Sequence, residues 1–322
     1  MRAILGGLLL LLNDPVFSPF RILPMKRLSH SLVFLVAACV VFAFRAEAAS
    51  LTLRQDDATH TISVFRQNVE EPILTQNARP DVRPFLHPII SPDGKGVLTD
   101  LSPDHHRHQT GLYWGFKQVN GRDYFHNRGA AFWRRVSCAP VVWEGELVKW
   151  TTVYHLLDAE GNPVMVEFQT WTMRDSGDRY LLDLEWKGEG LVNLTMAKQP
   201  YGGLFLRMAW KPGMDGCVVN SDSLRNDLAN QKKAFWVDVG LKIDGREDEA
   251  HIAILDHPKN AGYPHAWRVD GQMGAGPCRA IAGDWTIEQG KSETVRHQFV
   301  VYTGNLNREA LNQSWEKFNQ KN

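Results

Sequence analysis

Cysteine is scarce and unpatterned. The 322-residue chain holds four, Cys39, Cys138, Cys217 and Cys278, with no Cys-x-x-Cys spacing. That excludes a disulfide-stapled scaffold and a cysteine-ligated structural zinc site, and no bridge is assigned. An excess of either charge is also missing, with 36 Lys plus Arg against 36 Asp plus Glu. Neither nucleic acid nor an anionic membrane surface is therefore favoured as a partner. No low-complexity linker, charge block or internal repeat divides the chain. His-Glu-x-x-His, Gly-x-Ser-x-Gly, a phosphate loop and a dinucleotide fingerprint are all absent. Beyond residue 44 no apolar run approaches the roughly 20 residues that a spanning helix needs.

A shorter apolar run lies near the N-terminus, in "MKRLSHSLVFLVAACVVFAFRAEAAS" from Met25. Lys26 and Arg27 form a basic start, Ser31 to Phe44 an apolar stretch, and Ala46-Glu47-Ala48 a small-x-small cleavage pattern. This is the pattern of a secretory signal. Residues 1–49 are read as a signal region, with Met25 as its true start, and residues 50–322 as one exported domain in the periplasm or medium. Once the signal is removed, no membrane insertion is expected.

Within residues 50–322 the period is that of strands. In "PVMVEFQTWTM" Val164, Val166 and Phe168 alternate with Met165, Glu167 and Gln169. "RYLLDLEWKG" sets Tyr180, Leu182, Leu184 and Trp186 against Asp183 and Glu185, and "HIAILDHP" and "SETVRHQFVVYTG" also read as strands. One helix is expected, in "NREALNQSWEKFNQ", where Leu311, Trp315 and Phe318 share a face behind an Asn307 cap. Long antiparallel strands with little helix predict an all-β fold of two large sheets packed face to face.

The densest chemistry lies in "PDHHRHQTGLYWG", residues 103–115. Imidazoles beside a carboxylate can hold a divalent metal or move protons without one. If the segment is extended, Asp104, His106 and His108 share one face and His105 and Arg107 the other. Further candidates are Arg83 and His87 in "RPFLHPIISPDG", and Tyr201 and Arg207 in "YGGLFLRM". "ILDHPKNAGYPHAW" adds Asp256, His257, Asn260, His265 and Trp267, the composition of a cleft rim. An arginine inside an apolar strand needs a carboxylate or a ligand oxygen. The cost of burying such groups separately predicts one cleft shared by the 104–108 cluster, His87, Arg207 and the Asp256-His257 pair.

Taken together, "RPFLHPIISPDG", "DHHRHQTGLYWG", "VNGRDYFH", "YGGLFLRM" and "AILDHPKN" resemble a family of exported bacterial proteins labelled "methane oxygenase PmoA" and treated as a domain of unknown function. The resemblance runs from about residue 55 to 318. It implies a galactose-mutarotase-like supersandwich and a small carbohydrate or glycoside as ligand. The oxygenase label is set aside, since a membrane oxygenase subunit needs spanning helices that this chain lacks after its signal. Residue by residue, the resemblance points to Asp104, His105 and His108 as catalytic residues or as ligands of a divalent metal. His87 and His257 join them in catalysis. Arg83, Tyr201, Arg207, Asp256 and Asn260 would bind substrate, with Trp236 and Trp267 stacking on a sugar ring.

The expected function is that of a carbohydrate lyase, hydrolase or epimerase. A non-catalytic carbohydrate-binding protein is the alternative. A metal-dependent oxygenase, built on residues 104–108 and His87, is a third reading. The export reading has a direct check. N-terminal sequencing of the protein recovered outside the cytoplasm is expected to start at Ala49 or Ser50, and a chain that keeps the Met25 segment overturns it.

Overall fold

A computed structural model describes residues 50–321. The signal expected over residues 1–49 lies outside the described residues. Alternation of apolar side chains dominates what is described, and strands account for 49% of the structure against 8% helix.

The strands form two large antiparallel sheets and a two-stranded one. The nine-stranded sheet runs, edge to edge, through Trp267–Val269, Gly274–Pro277, Gly203–Arg207, Leu112–Gly115, Phe85–Ile89, Leu74–Asn77, Thr61–Arg66, Leu51–Asp56 and Glu144–Gly145. The eight-stranded sheet runs through Gly216–Asn220, Trp236–Leu241, Ala250–Asp256, Ser292–Thr303, Arg179–Gly190, Pro163–Asp175, Leu147–Leu157 and Trp133–Val142. The main core fills the space between the two, with Leu112, Trp114, Leu204 and Leu206 from one sheet meeting Trp171, Leu184, Trp186 and Ile254 from the other. This is the expected two-sheet supersandwich with one short C-terminal helix. Cys138, Cys217 and Cys278 are all free. Among the described residues no helix is long and apolar enough to cross a membrane.

Alternation sets which side chains face inward, but not always with the polarity that hydrophobicity suggests. On Arg179–Gly190 the inward set is Tyr180, Leu182, Leu184 and Trp186, as the pattern implies. On Pro163–Asp175 it is Met165, Glu167, Gln169, Trp171 and Met173, while Val164, Val166 and Phe168 are only half-buried. Glu167 tolerates this because its carboxyl accepts from Gln169 Nε2 at 2.8 Å and from Trp186 Nε1 at 2.9 Å. Burial pushes its pKa up to about 7, against the pull of those two donors.

The helix Arg308–Asn319 covers the outer face of the eight-stranded sheet. Asn307 caps it, its side chain accepting from Ala310 N at 3.0 Å. Leu311 and Phe318 pack with Trp236, Ala253, Leu255 and Val300 in a separate apolar cluster, with Trp315 against it. Trp236 donates to Asn312 Oδ1 at 2.8 Å, and Trp267 to the Ala234 carbonyl at 2.9 Å. Both indoles are wholly buried. Neither has a ring face left for a sugar, which corrects the stacking role expected of them.

One buried ion pair gives the fold a pH dependence. His251 sits between Asp238 Oδ2, 2.8 Å from Nδ1, and the Gly304 carbonyl, 2.9 Å from Nε2, with its ring stacked on Tyr302. Burial alone would lower its pKa, but the hydrogen bond and charge of Asp238 outweigh burial and raise it. A raised histidine stabilises the fold fully below its unfolded value of about 6.5, and that stability is lost as pH rises through the folded value. The denaturation midpoint is therefore expected to fall as pH is raised through that window, and His251→Gln is expected to flatten the fall. An unchanged slope in the variant overturns the assignment.

Candidate active site

The site is built on the outer face of the nine-stranded sheet. Strands Leu112–Gly115 and Gly203–Arg207 are paired, with Phe205 opposite Tyr113. Because successive side chains alternate, Leu112, Trp114, Leu204 and Leu206 enter the core while Tyr113 and Phe205 turn outward. There they meet Phe85 and Phe125 in a cluster of their own, with Tyr201 packed against it.

Above this aromatic floor is a cleft of about 260 Å³ lined by His106, His108, Gln109, Phe125, His126, Tyr201, Phe205, Arg268 and Asp270. The loop that brings the histidines in is not extended. Asp104–His106 form a single 3-10 turn, closed by His106 N to the Pro103 carbonyl and followed by Gln109 N to the His106 carbonyl. The turn sends His106 and His108 into the cleft. Asp104 and Arg107 pair with each other at 3.1 Å in solvent, 96% and 79% exposed. His105 is exposed, its ring 5.8 Å from that of Trp210, and it does not line the cleft. The set Asp104, His105 and His108 is thus not assembled, for metal or for catalysis. His108 alone of the three faces the cleft, and His106 stands in place of His105.

The imidazole that completes the cluster comes from "VNGRDYFH", a segment that carries the family resemblance but in which the sequence reading assigns no site residue. Asp123 Oδ1 accepts from the backbone N–H of Phe125 and His126, an Asx turn that seats His126. Asp123 Oδ2 then takes the His126 Nδ1 at 2.7 Å and Lys117 Nζ at 2.8 Å. Although burial disfavours its charge, these donors hold Asp123 below the usual carboxylate range. With Nδ1–H given to Asp123, the free nitrogen of His126 is Nε2. The His126 and His108 rings lie 4.4 Å apart. Burial, with the charges of His126 and Arg83, holds His108 down at about 3, so it is neutral at ordinary pH. His106 is also lowered, by burial and then by Arg207, and its buried Nδ1 has no partner among the described residues. The signal that could have found His126 is Asp-x-x-His in "GRDYFH".

Two buried arginines shape the cleft without entering it. Arg83, 1% exposed, lies over the Tyr113 ring at 3.7 Å. It donates to the carbonyls of His108 at 2.8 Å and Phe125 at 2.6 Å. A Cβ at Gly115 would come within 2.9 Å of its Nη1, so only glycine leaves room for it. Arg207, 0% exposed, gives Nη2 to Asp270 Oδ2 at 2.7 Å and bonds Gln109 Oε1 and the Gln272 carbonyl. A Cβ at Gly274 would lie 2.7 Å from both Arg207 Nη2 and Asp270 Oδ2. The terminal nitrogens of both guanidinium groups are committed to protein acceptors, while Arg83 Nε is buried without a partner among the described residues, so the substrate contacts expected of Arg83 and Arg207 become positioning roles.

The single-cleft expectation holds in part. Arg207 adjoins the histidine loop through Gln109, and Tyr201 lines the cleft. His87 does not line it, since its Nδ1 is 3.0 Å from Thr99 Oγ1 and burial lowers its pKa. His257 is elsewhere, packed on Phe318 with Nδ1 accepting from Lys259 N. Asp256 and Asn260 are buried and bonded to each other at 2.7 Å, Asn260 also donating to the Arg296 carbonyl. Neither lines the cleft. Strand pairing explains the separation, because the even-numbered residues of Ala250–Asp256 point between the sheets and the cleft opens on the far side of the other sheet.

No curated protein matches the chain. Solved structures it is similar to include the GH36 alpha-galactosidase AgaB from Geobacillus stearothermophilus, at 9% identity and TM-score 0.41 over 79% of this chain and 41% of that one. The galactosidase domain of the alpha-galactosidase-sucrose kinase AgaSK is 10% identical with TM-score 0.43, over 78% and 41%. The alpha-galactosidase from Lactobacillus brevis is 10% identical with TM-score 0.35, over 81% and 40%. The chain thus spans about two-fifths of the length of those proteins, and likenesses this weak carry no argument about chemistry. A family model described as "Family of unknown function (DUF6807)" matches residues 67–316. The chain belongs to that family.

Proposed function

We propose that the protein is a carbohydrate-active enzyme, a lyase, hydrolase or epimerase, which works by general acid–base catalysis in the His106–His108–His126 cleft after export. One observation carries this reading. Two imidazoles 4.4 Å apart, one backed by a carboxylate at 2.7 Å, face an open cleft over an aromatic floor.

Asp123 fixes the His126 tautomer and stabilises the imidazolium that forms when Nε2 takes a proton, the division of labour of a His-Asp dyad. His108, neutral and with no side-chain hydrogen bond to the described residues, accepts a hydrogen bond from a substrate hydroxyl and orients it toward His126. Asp270 and Gln109, held by Arg207, offer acceptors and an amide to a polyol. Phe125, Tyr201 and Phe205 give the apolar face of a sugar ring something to lie on. The reading of a non-catalytic binder is weakened, because it drew on Trp236 and Trp267 and has no use for the dyad.

Turnover of a glycoside and oligosaccharide panel by the wild-type protein identifies the substrate. On that substrate His126→Ala and His108→Ala are each expected to lower kcat/KM by about 10²–10⁴, with melting temperature nearly unchanged. His105→Ala is expected to keep full activity. Retention of wild-type turnover by both cleft variants overturns the proposal.

A further inference from the structure

We propose that Asp256, His265 and His297 bind one divalent transition-metal ion, with an open coordination position facing the small chamber beside Trp114. This site lies between the sheets and does not rest on the reading of the outer cleft. Among the described residues these three are the group whose ligand atoms all fall within 4.8 Å of one another.

The fold brings them together from three places. Asp256 ends the strand Ala250–Asp256 and stands directly opposite His297 on Ser292–Thr303. His265 closes the loop that follows, its backbone N–H donating to Asp256 Oδ2 at 2.9 Å. All three are buried.

The spacing suits a metal. His265 Nδ1 is 3.0 Å and His297 Nδ1 3.6 Å from Asp256 Oδ1. Ligands about 2.0–2.1 Å from a tetrahedral zinc ion lie about 3.3 Å apart, and those two edges bracket that value. The surrounding contacts suit one too. His265 Nε2 is 3.1 Å from the Ala261 carbonyl, and Asn260 Nδ2 is 2.7 Å from Asp256 Oδ1. A metal-bound histidine ordinarily gives its second N–H to a backbone carbonyl, and a ligating carboxylate is itself hydrogen-bonded. On binding, the proton shared by His265 Nδ1 and Asp256 passes to solvent, and neutral His297, whose Nδ1 lies 3.3 Å from the Leu255 carbonyl, carries its proton on Nε2 instead, so that both Nδ1 lone pairs turn to the metal.

His265 and His297 also form part of the wall of a partly open chamber of about 30 Å³, lined as well by Trp114, Phe116 and Trp285. That is room for about two waters, too little for a sugar. Trp114 carries a buried indole N–H with no partner among the described residues, a donor for an oxygen ligand in the chamber. Three protein ligands with one position left open are the arrangement of a reactive centre, not of a sealed structural one. The two-nitrogen, one-carboxylate set favours ions such as zinc, iron(II) or cobalt(II) over magnesium or calcium.

The test is titration of chelator-stripped, dialysed protein with cobalt(II) chloride, followed by visible absorption and thermal melting. One equivalent per chain is expected, with d–d bands of a four- or five-coordinate ion. The melting temperature should rise by about 5–10 °C when free metal is near 100 times Kd. His297→Gln and Asp256→Asn are expected to weaken binding by at least about 100-fold, and His105→Ala to leave it unchanged. A wild-type protein with no cobalt bands overturns the proposal. So does a cooperatively melting His297→Gln variant with wild-type affinity. Should Asp256→Asn fail to fold, His297→Gln decides; if neither folds, the wild-type titration decides.

Discussion

The candidate active site depends on a guanidinium that has no carboxylate to bond. Removing Arg83 from water is costly, and the fold offsets that cost with backbone carbonyls and the face of Tyr113. Desolvation lowers the Arg83 pKa to about 10, still high enough for the group to stay charged at neutral pH. Because its acceptors belong to His108 and Phe125, the same group that must be satisfied also sets the distance between the histidine loop and the turn that carries His126. Lysine could not replace it, since a single ammonium cannot reach two carbonyls in the fixed geometry of a planar fork.

Two adjacent strands then serve two environments. Outward, Tyr113 and Phe205 floor the cleft; inward, Trp114 walls the small chamber, its ring stacked on Trp186 at 4.7 Å. Shifting either strand by one residue would exchange those faces. Gly115 and Gly274 add a second constraint, because any side chain there would displace Arg83 or the Arg207–Asp270 pair. Polar groups in this protein are thus placed by satisfaction of hydrogen bonds and by register together, with hydrophobic burial supplying the sandwich that holds both.

What the sequence made legible follows from how local each signal is. Strand alternation and the Asn307-capped helix depend on neighbours within one element, and both were readable. The buried face of Pro163–Asp175 was not, because Glu167 is satisfied by Trp186 on another strand. Arg207 is recognisable as a buried charge in need of acceptors, but which acceptors it meets depends on the fold, and the burial of Arg83, expected only as a substrate contact, has no local signal. The histidine loop is recognisable, and alternation groups His106 with His108, as the cleft does; the choice of His105 came from the family resemblance, and the 3-10 turn, in place of extended backbone, puts Asp104 in water. Trp236 and Trp267 looked like a binding platform because indoles suit both roles; only packing tells a core ring from a rim ring. The pairing of Asp256 with His297 rests on cross-strand register over a long separation in sequence, which no local pattern encodes.

The C-terminal helix has a consequence for handling the protein. It shields Trp236, Ala253, Leu255 and Val300 on the outer face of the eight-stranded sheet. Those side chains form a contiguous apolar surface of the kind that drives self-association when uncovered. Fraying of this last element would leave the sandwich core and the cleft in place while turning one side of the molecule adhesive. Shelf life and yield would then be governed by a region that takes no part in the outer cleft, and a shortened chain would fail first by clumping.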